Sequence, residues 1–210
     1  GQARWVADQV LAQREGGATL KSQAALFRTD TDDELAVARN SGGRSSFQNV
    51  ASARREGAEL ALDAQLAEPW RLRLAYTRTQ ARFRSAFLTC TGTPCTAPNT
   101  PIAAGSPIPG VPRSQLFAQL AFENGPWRAA LDVARTGTTV VNDIATQTAP
   151  AHTLAGLEAI RDVGRLRLFA RIDNVFDRAH IGAVIVNDGN GRYYEPGPGR
   201  QWNLGAQWTF

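Results

Sequence analysis

The property that most constrains this chain is polarity that reverses at every residue through long runs, broken by connections that are alternately short and long. In residues 199–210, Trp202, Leu204, Ala206, Trp208 and Phe210 alternate with Asn203, Gly205, Gln207 and Thr209. Only a β-strand puts such a set on one face, because its side chains repeat every two residues. Residues 165–177 follow the same rule, with Leu166, Leu168, Ala170 and Ile172 opposite Arg165, Arg167, Arg171 and Asp173. Leu116, Ala118, Leu120 and Phe122 lead through Asn124, Gly125 and Pro126 into Trp127, Ala129, Leu131 and Val133, as a hairpin does. Ala58, Leu60, Leu62 and Ala64 lead through residues 67–69 into Trp70, Leu72, Leu74 and Tyr76 in the same way.

Helical propensity competes over residues 51–66, which are rich in Ala, Glu, Leu, Gln and Arg. A helix would scatter Leu60, Leu62 and Leu66 around its circumference, whereas a strand gathers them, so the pattern predicts a strand. Further strands are expected near 4–13, 18–39 and 150–161, with an irregularity in the acidic run 30–34. Short turns fall near 14–17, 66–69, 124–126 and 162–164, and long loops near 40–46, 84–112, 140–150 and 178–198. That alternation predicts an all-β antiparallel meander of about nine long strands with turns at one rim and loops at the other, the plan of a bacterial outer-membrane barrel. Trp70, Trp127, Trp208 and Phe210 all fall at the turn rim, where an interfacial aromatic girdle would sit.

Composition narrows the alternatives. No apolar run is long enough for a membrane helix, a fact silent about membrane strands. The formal charge is +4 and Lys21 is the lone lysine, but the arginines are spread along the chain and not gathered into the basic patch of a nucleic-acid binder. Cys90 and Cys95 lack the second ligand pair a metal site needs, so a short loop disulfide is expected, formed in an oxidising compartment. The chain has no Met, which predicts a processed chain or a piece of a longer one. Asp30, Asp32 and Glu34 imitate the start of a calcium loop, but Leu35 stands where that loop turns on Gly, and the run is expected to be a solvated rim. His152 and His180 are expected to stand alone. No catalytic or cofactor-binding motif is present, and neither an enzyme nor a bound cofactor is expected.

With these segments placed, the chain resembles the C-terminal part of a TonB-dependent outer-membrane receptor barrel of the siderophore-receptor type. The resemblance rests on AALFRTDTDDELAV at 24–37, on Asn49, Arg55, Gly57 and Glu59 after it, and on IPGVPRSQL at 108–116. It rests also on DNVFD at 173–177, with Val175 where the family has leucine, on EPGPGRQW before the last strand, and on the terminal Phe210. It implies that residues 1–210 are the C-terminal portion of the barrel, with the plug and the earlier strands absent. Nine is odd and closed bacterial barrels have even strand numbers, so the expected fold is an incomplete arc of a roughly 22-stranded transmembrane β-barrel.

The resemblance implies a multi-pass protein of the bacterial outer membrane, in contact with outer-membrane lipid. Its cargo would be an iron-siderophore or a similar metal chelate, and the TonB inner-membrane complex would act through the missing plug. Phe210 would be the aromatic that the barrel-assembly machinery reads, at a natural C-terminus. Candidate ligand contacts are Arg192, Tyr193 and Tyr194 in one loop and Asn142 and Asp143 in another, since aromatics and arginine at a loop rim are common anchors. Arg71, Arg73, Arg165, Arg167 and Arg171 on the lumen face suit an anionic chelate, or else pair with carboxylates of the plug or of neighbouring strands. A passive porin-like channel and a soluble all-β binding module with a loop disulfide are the competing readings.

Overall fold

A computed structural model describes residues 2–15, 18–41, 44–91, 95 and 97–210; residues 16–17 of the expected turn at 14–17 and part of the Cys90–Cys95 loop lie outside these. Nine strands form one antiparallel sheet in chain order. They are β1 (Gln2–Glu15), β2 (Ala18–Asp32), β3 (Ser52–Ala67), β4 (Trp70–Phe83), β5 (Ser114–Asn124), β6 (Trp127–Thr136), β7 (His152–Val163), β8 (Leu166–Asp173) and β9 (Gln201–Trp208). Every strand pairs with its sequence neighbours, and β1 and β9 are left as the two edges, so the sheet is an open arc and not a closed barrel. The strand at 52–67 forms despite its helical composition, because the alternation of Leu60 and Leu62 with Glu59 and Asp63 satisfies a sheet with two unlike faces.

The register carries one apolar row across the arc. Leu20 faces Ala64, which faces Leu72, and the row continues through Leu120, Leu131, Leu157 and Ile172 to Trp202. Leu20, Leu131, Leu157 and Trp202 are exposed, so this face is apolar without being covered by protein. The opposite face carries Lys21, Asp63, Arg73, Gln119 and Asp132 in a row of its own. At the turn rim the outer face is aromatic. Trp70 meets Phe122 edge-on at 5.1 Å, the Arg161 guanidinium lies 4.6 Å over the Trp127 ring, and Trp208 closes β9. The expected girdle is therefore on the apolar face.

Two boundaries differ from the sequence expectation. The strand expected over 18–39 is divided: β2 stops at Asp32, Asp33 takes a left-handed φ of 56°, and residues 35–49 form a separate hairpin. Asn49 fixes the return, since its side-chain NH2 donates to Asp33 Oδ1 and its Oδ1 accepts from the Ala51 N–H. The run 165–177 is a strand only as far as Asp173. Asn174 and Asp177 have positive φ, and the Asn174 side chain bonds Arg178 and the Pro198 carbonyl, turning NVFD into the corner that ties β8 to the approach of β9.

The buried apolar cluster lies above the sheet, at the base of the loops, where Val50, Phe83 and Ile102 pack with Ala36, Phe87 and Ile108. Within the sheet, two glycines are required by what lies over them. A Cβ at Gly205 would strike the Phe169 ring, and one at Gly57 would strike the Arg78 carbonyl and the Phe27 ring. In a bilayer, Leu131→Arg should cost about 2–4 kcal/mol of folding free energy, as an arginine at the midplane of a lipid-facing strand does. Ala130→Arg, one residue along on the other face, should cost distinctly less. Urea unfolding of the intact protein in lipid vesicles measures both, and equal losses would contradict the assignment of faces.

Candidate ligand site at the long-loop rim

Four long connections leave the same rim: 33–51, 84–113, 137–151 and 174–200. Each contains a short two-stranded ladder of its own, and polar side chains bind them to one another. Asn142 makes the sharp turn in 137–151: its Oδ1 accepts from the Thr146 and Gln147 N–H groups and its NH2 donates to Thr146 Oγ1. This turn leaves Asp143 only 2% exposed. Asp143 Oδ2 accepts from the Thr89 hydroxyl at 3.0 Å and from Asn187 Nδ2 at 2.8 Å, while the Asp143 N–H donates to Asn187 Oδ1 at 3.0 Å. Asn187 also donates to the Val37 carbonyl at 2.6 Å. Asp143 and Asn187 thus join residues from all four loops.

Asp143 Oδ1 is buried with no hydrogen-bond partner among the described residues. Together with Arg39, Asn142, Asn187 and Tyr193 it borders a cavity of about 200 Å³. Ligand pockets for whole drug-sized molecules run to roughly 300–1,000 Å³, so this one takes a single polar group of a larger ligand. Tyr193 lies beside Tyr194 with ring centroids 6.2 Å apart, and the Tyr194 hydroxyl donates to the Thr148 carbonyl at 3.1 Å. The Arg192 N–H is held by Asp188, which leaves its exposed side chain at the rim. Cys90 and Cys95 are joined, as their spacing suggested, and Arg39 donates to the Cys95 carbonyl at 3.3 Å. Asn142, Asp143 and Tyr193 therefore meet at one cavity. Thr89, Asn187 and Arg39 complete it, and their parts depend on loop-to-loop contacts that local sequence does not encode.

The lumen-face arginines lie elsewhere and are engaged by the wall. Arg71 forms two hydrogen bonds to Asp63 at 2.7 and 2.6 Å, and Arg73 lies 3.7 Å from the same carboxylate. Arg167 and Arg128 share Asp162. Arg171 spans β7 over Gly156 to reach Asp132 at 3.1 Å, with Glu158 at 3.3 Å and Asp173 at 2.8 Å. Arg71, Arg73, Arg167 and Arg171 thus all lie beside carboxylates of their own or neighbouring strands. Arg165 lies at the turn, where its carbonyl accepts from the Thr209 N–H.

The acidic run is exposed at Asp32 and Asp33, and it is ion-paired as well: Glu34 is held by Arg55 at 2.7 and 3.1 Å, which keeps its carboxyl below the ordinary range, and Asp30 is shared by Arg28, Arg54 and Arg84. One further expectation changes, since His152 and His180 do not stand alone. Their rings pack at 4.9 Å, joining the start of β7 to the loop after β8.

The family model described as TonB dependent receptor-like, beta-barrel matches residues 13–175. The chain belongs to the TonB-dependent receptor β-barrel family. Solved structures agree on the fold. The ferric-catecholate import receptor Fiu from E. coli K12 superposes with a TM-score of 0.67 at 19% identity, covering 91% of this chain and 25% of that one. The siderophore receptor PiuA from Acinetobacter baumannii gives 0.71 at 19% identity, with 89% and 25% covered. The copper transporter OprC gives 0.71 at 18%, with 97% and 30% covered. The chain spans about a quarter of the length of Fiu and PiuA. This is a family of outer-membrane transport receptors and not of enzymes.

Asp143 should make this TonB-dependent receptor chain sensitive to pH at its loops. Burial pushes its carboxyl above its ordinary value of 3.8, against the opposing hydrogen bonds from Thr89 and Asn187. Between 3.8 and that raised value the folded loops bind more protons than the unfolded ones, so their stability falls as pH rises through the interval and is highest below it. Asp143→Asn keeps an oxygen to accept from Thr89 and Asn187 and removes the charge. Hydrogen exchange at residues 137–151 should quicken with pH beyond its intrinsic rate in the parent and lose that excess in the variant. An unchanged excess in Asp143→Asn would refute the assignment.

Proposed function

We propose that the chain forms part of the wall of an outer-membrane receptor for a metal chelate, with an iron-siderophore as the cargo class. Residues 1–210 would be the C-terminal portion of its barrel. The observation that carries this reading is the coincidence of two features in one arc. An uncovered apolar face crosses the sheet from Leu20 to Trp202, and the loop cluster at one rim encloses a polar cavity beside exposed Arg192 and Tyr194. A soluble binding module has reason to hide the first, and a passive channel has no need of the second.

In this reading Asn142, Asp143, Arg192, Tyr193 and Tyr194 meet the chelate at the outer mouth. The carboxylate oxygen left open on Asp143 takes a hydroxyl or N–H of the chelator, and the tyrosine rings cover its apolar parts. The lumen arginines Arg71, Arg167 and Arg171, ion-paired in the wall with Asp63, Asp162 and Asp132, line the passage. The TonB complex acts through the plug of the intact receptor. Fiu and PiuA, named for ferric-catecholate and siderophore uptake, favour iron, while OprC, named for copper, marks the breadth of cargo on the same fold.

The intact receptor, titrated with ferric catecholate and ferric hydroxamate chelates and with Cu(II), should bind one ferric chelate and quench its tryptophan fluorescence. Tyr193→Ala and Asn142→Ala should each weaken that binding roughly tenfold, about 1.4 kcal/mol. Binding of Cu(II) alone would replace iron as the cargo, and binding that neither substitution alters would remove the loop cavity from the site.

A further inference from the structure

The two buried carboxylates among the described residues have unlike surroundings. Asp132 has the Arg171 guanidinium at 3.1 Å. Asp143, only 2% exposed, has neutral side-chain donors alone, the Thr89 hydroxyl and the Asn187 NH2, both on Oδ2. Its Oδ1 is buried without a hydrogen bond among the described residues, and the side chain borders the loop cavity of about 200 Å³. A carboxylate buried among neutral groups is costly, and a cation is what offsets that cost.

The amide groups on the cavity wall are already committed to the loops. The Asn142 NH2 donates to Thr146 Oγ1, and the Asn187 NH2 to Asp143 and to the Val37 carbonyl. Asp188, a second carboxylate on the wall, accepts at Oδ2 from the backbone N–H groups of Asn190 and Arg192. Arg39 also lines the cavity and donates to the Cys95 carbonyl. With both carboxylates ionised, Asp143 and Asp188 against Arg39 leave the described lining with one negative charge in excess, beside Tyr193.

We propose that this cavity takes the ammonium group of a chelator that carries a free primary amine, with Asp143 Oδ1 as its acceptor. The inference rests on the chelate reading above and narrows the cargo to chelates with a cationic arm. An ammonium brings three donors and no acceptor, which suits a wall whose open group is an acceptor, and its charge offsets the burial of the carboxylate. The Tyr193 ring at the same cavity is a surface that attracts cations. A water takes about 30 Å³ of liquid, so the cavity holds an ammonium with the first carbons of its stem, and the metal centre stays outside. A carboxylate or catecholate head would instead meet Asp143 and Asp188 as like charges. Burial raises the Asp143 carboxyl above its ordinary range, and protonation removes its attraction for a cation, so the preference for an amine weakens as pH falls.

The test titrates the intact receptor in detergent with ferrioxamine B, a linear ferric trihydroxamate with a free terminal ammonium, and with its N-acetylated form, which keeps the metal centre and loses the charge on the arm. A ferric tris-catecholate is the third probe. The parent should bind the ammonium form roughly tenfold more tightly than the acetylated one, the size of one charge-assisted hydrogen bond. Asp143→Asn keeps an oxygen and removes the charge, and the ratio of the two affinities should fall to about one. In the parent, with no substitution, the ratio should also shrink between about pH 7 and about pH 4, because Asp143 takes up a proton while the amine stays charged. Equal binding of the two forms by the parent, a ratio that survives in Asp143→Asn, or a ratio constant with pH would each overturn the proposal. So would binding of the tris-catecholate with neither hydroxamate bound. A receptor that binds no ferric chelate at all removes the chelate reading and this inference with it, whereas chelate binding without a preference for the amine removes this inference alone.

Discussion

Everything in this chain depends on the antiparallel ladder holding its register across the arc. Side chains alternate faces with each residue, so a slip of one position between any two strands would move a whole strand's apolar set to the polar side. The row from Leu20 to Trp202 is continuous across β2 to β9, and the polar row beside it, from Lys21 to Asp132, keeps step. That continuity gives the sheet an outside and an inside without a conventional core. The buried apolar cluster around Phe83 lies under the loops instead, where the chain needs local rigidity.

The two ends of the arc follow different physics. At the turn rim the connections are short, and aromatic contacts such as Trp70 with Phe122 and Arg161 over Trp127 fix the boundary of the apolar face. At the loop rim the connections are long, and polar side chains take over. Asp143 and Asn187 bind four loops into one body, so a ligand of the proposed kind would meet a largely pre-formed surface. Between the rims, Arg171 reaches across β7 to Asp132, coupling β6, β7 and β8 on the lumen side.

Much of this was legible in the sequence, for a physical reason. Period-two alternation and turn chemistry are local, and they give the strands, the order of short and long connections and the aromatic rim directly. The pairing of Cys90 with Cys95 was also local. The ends of β2 and β8 were not, because Asp33, Asn174 and Asp177 adopt left-handed conformations that alternation alone does not announce. Of the loop candidates, Asn142, Asp143 and Tyr193 converge. Thr89 and Asn187 were missed since their contacts join residues 54 and 44 positions from Asp143. The contact between His152 and His180 and the ion pairs of the acidic run were not legible for the same reason: their partners come from other strands or loops.

The central claim is that one face of this wall meets lipid and the other meets the lumen. Nitroxide scanning of 114–124 in the intact receptor, reconstituted in a bilayer, tests it residue by residue through accessibility to oxygen and to a water-soluble nickel complex. Labels at 116, 118, 120 and 122 should be reached by oxygen, and labels at 115, 117, 119 and 121 should be sheltered from it. Accessibility without a two-residue period, or with the two sets exchanged, would contradict the account.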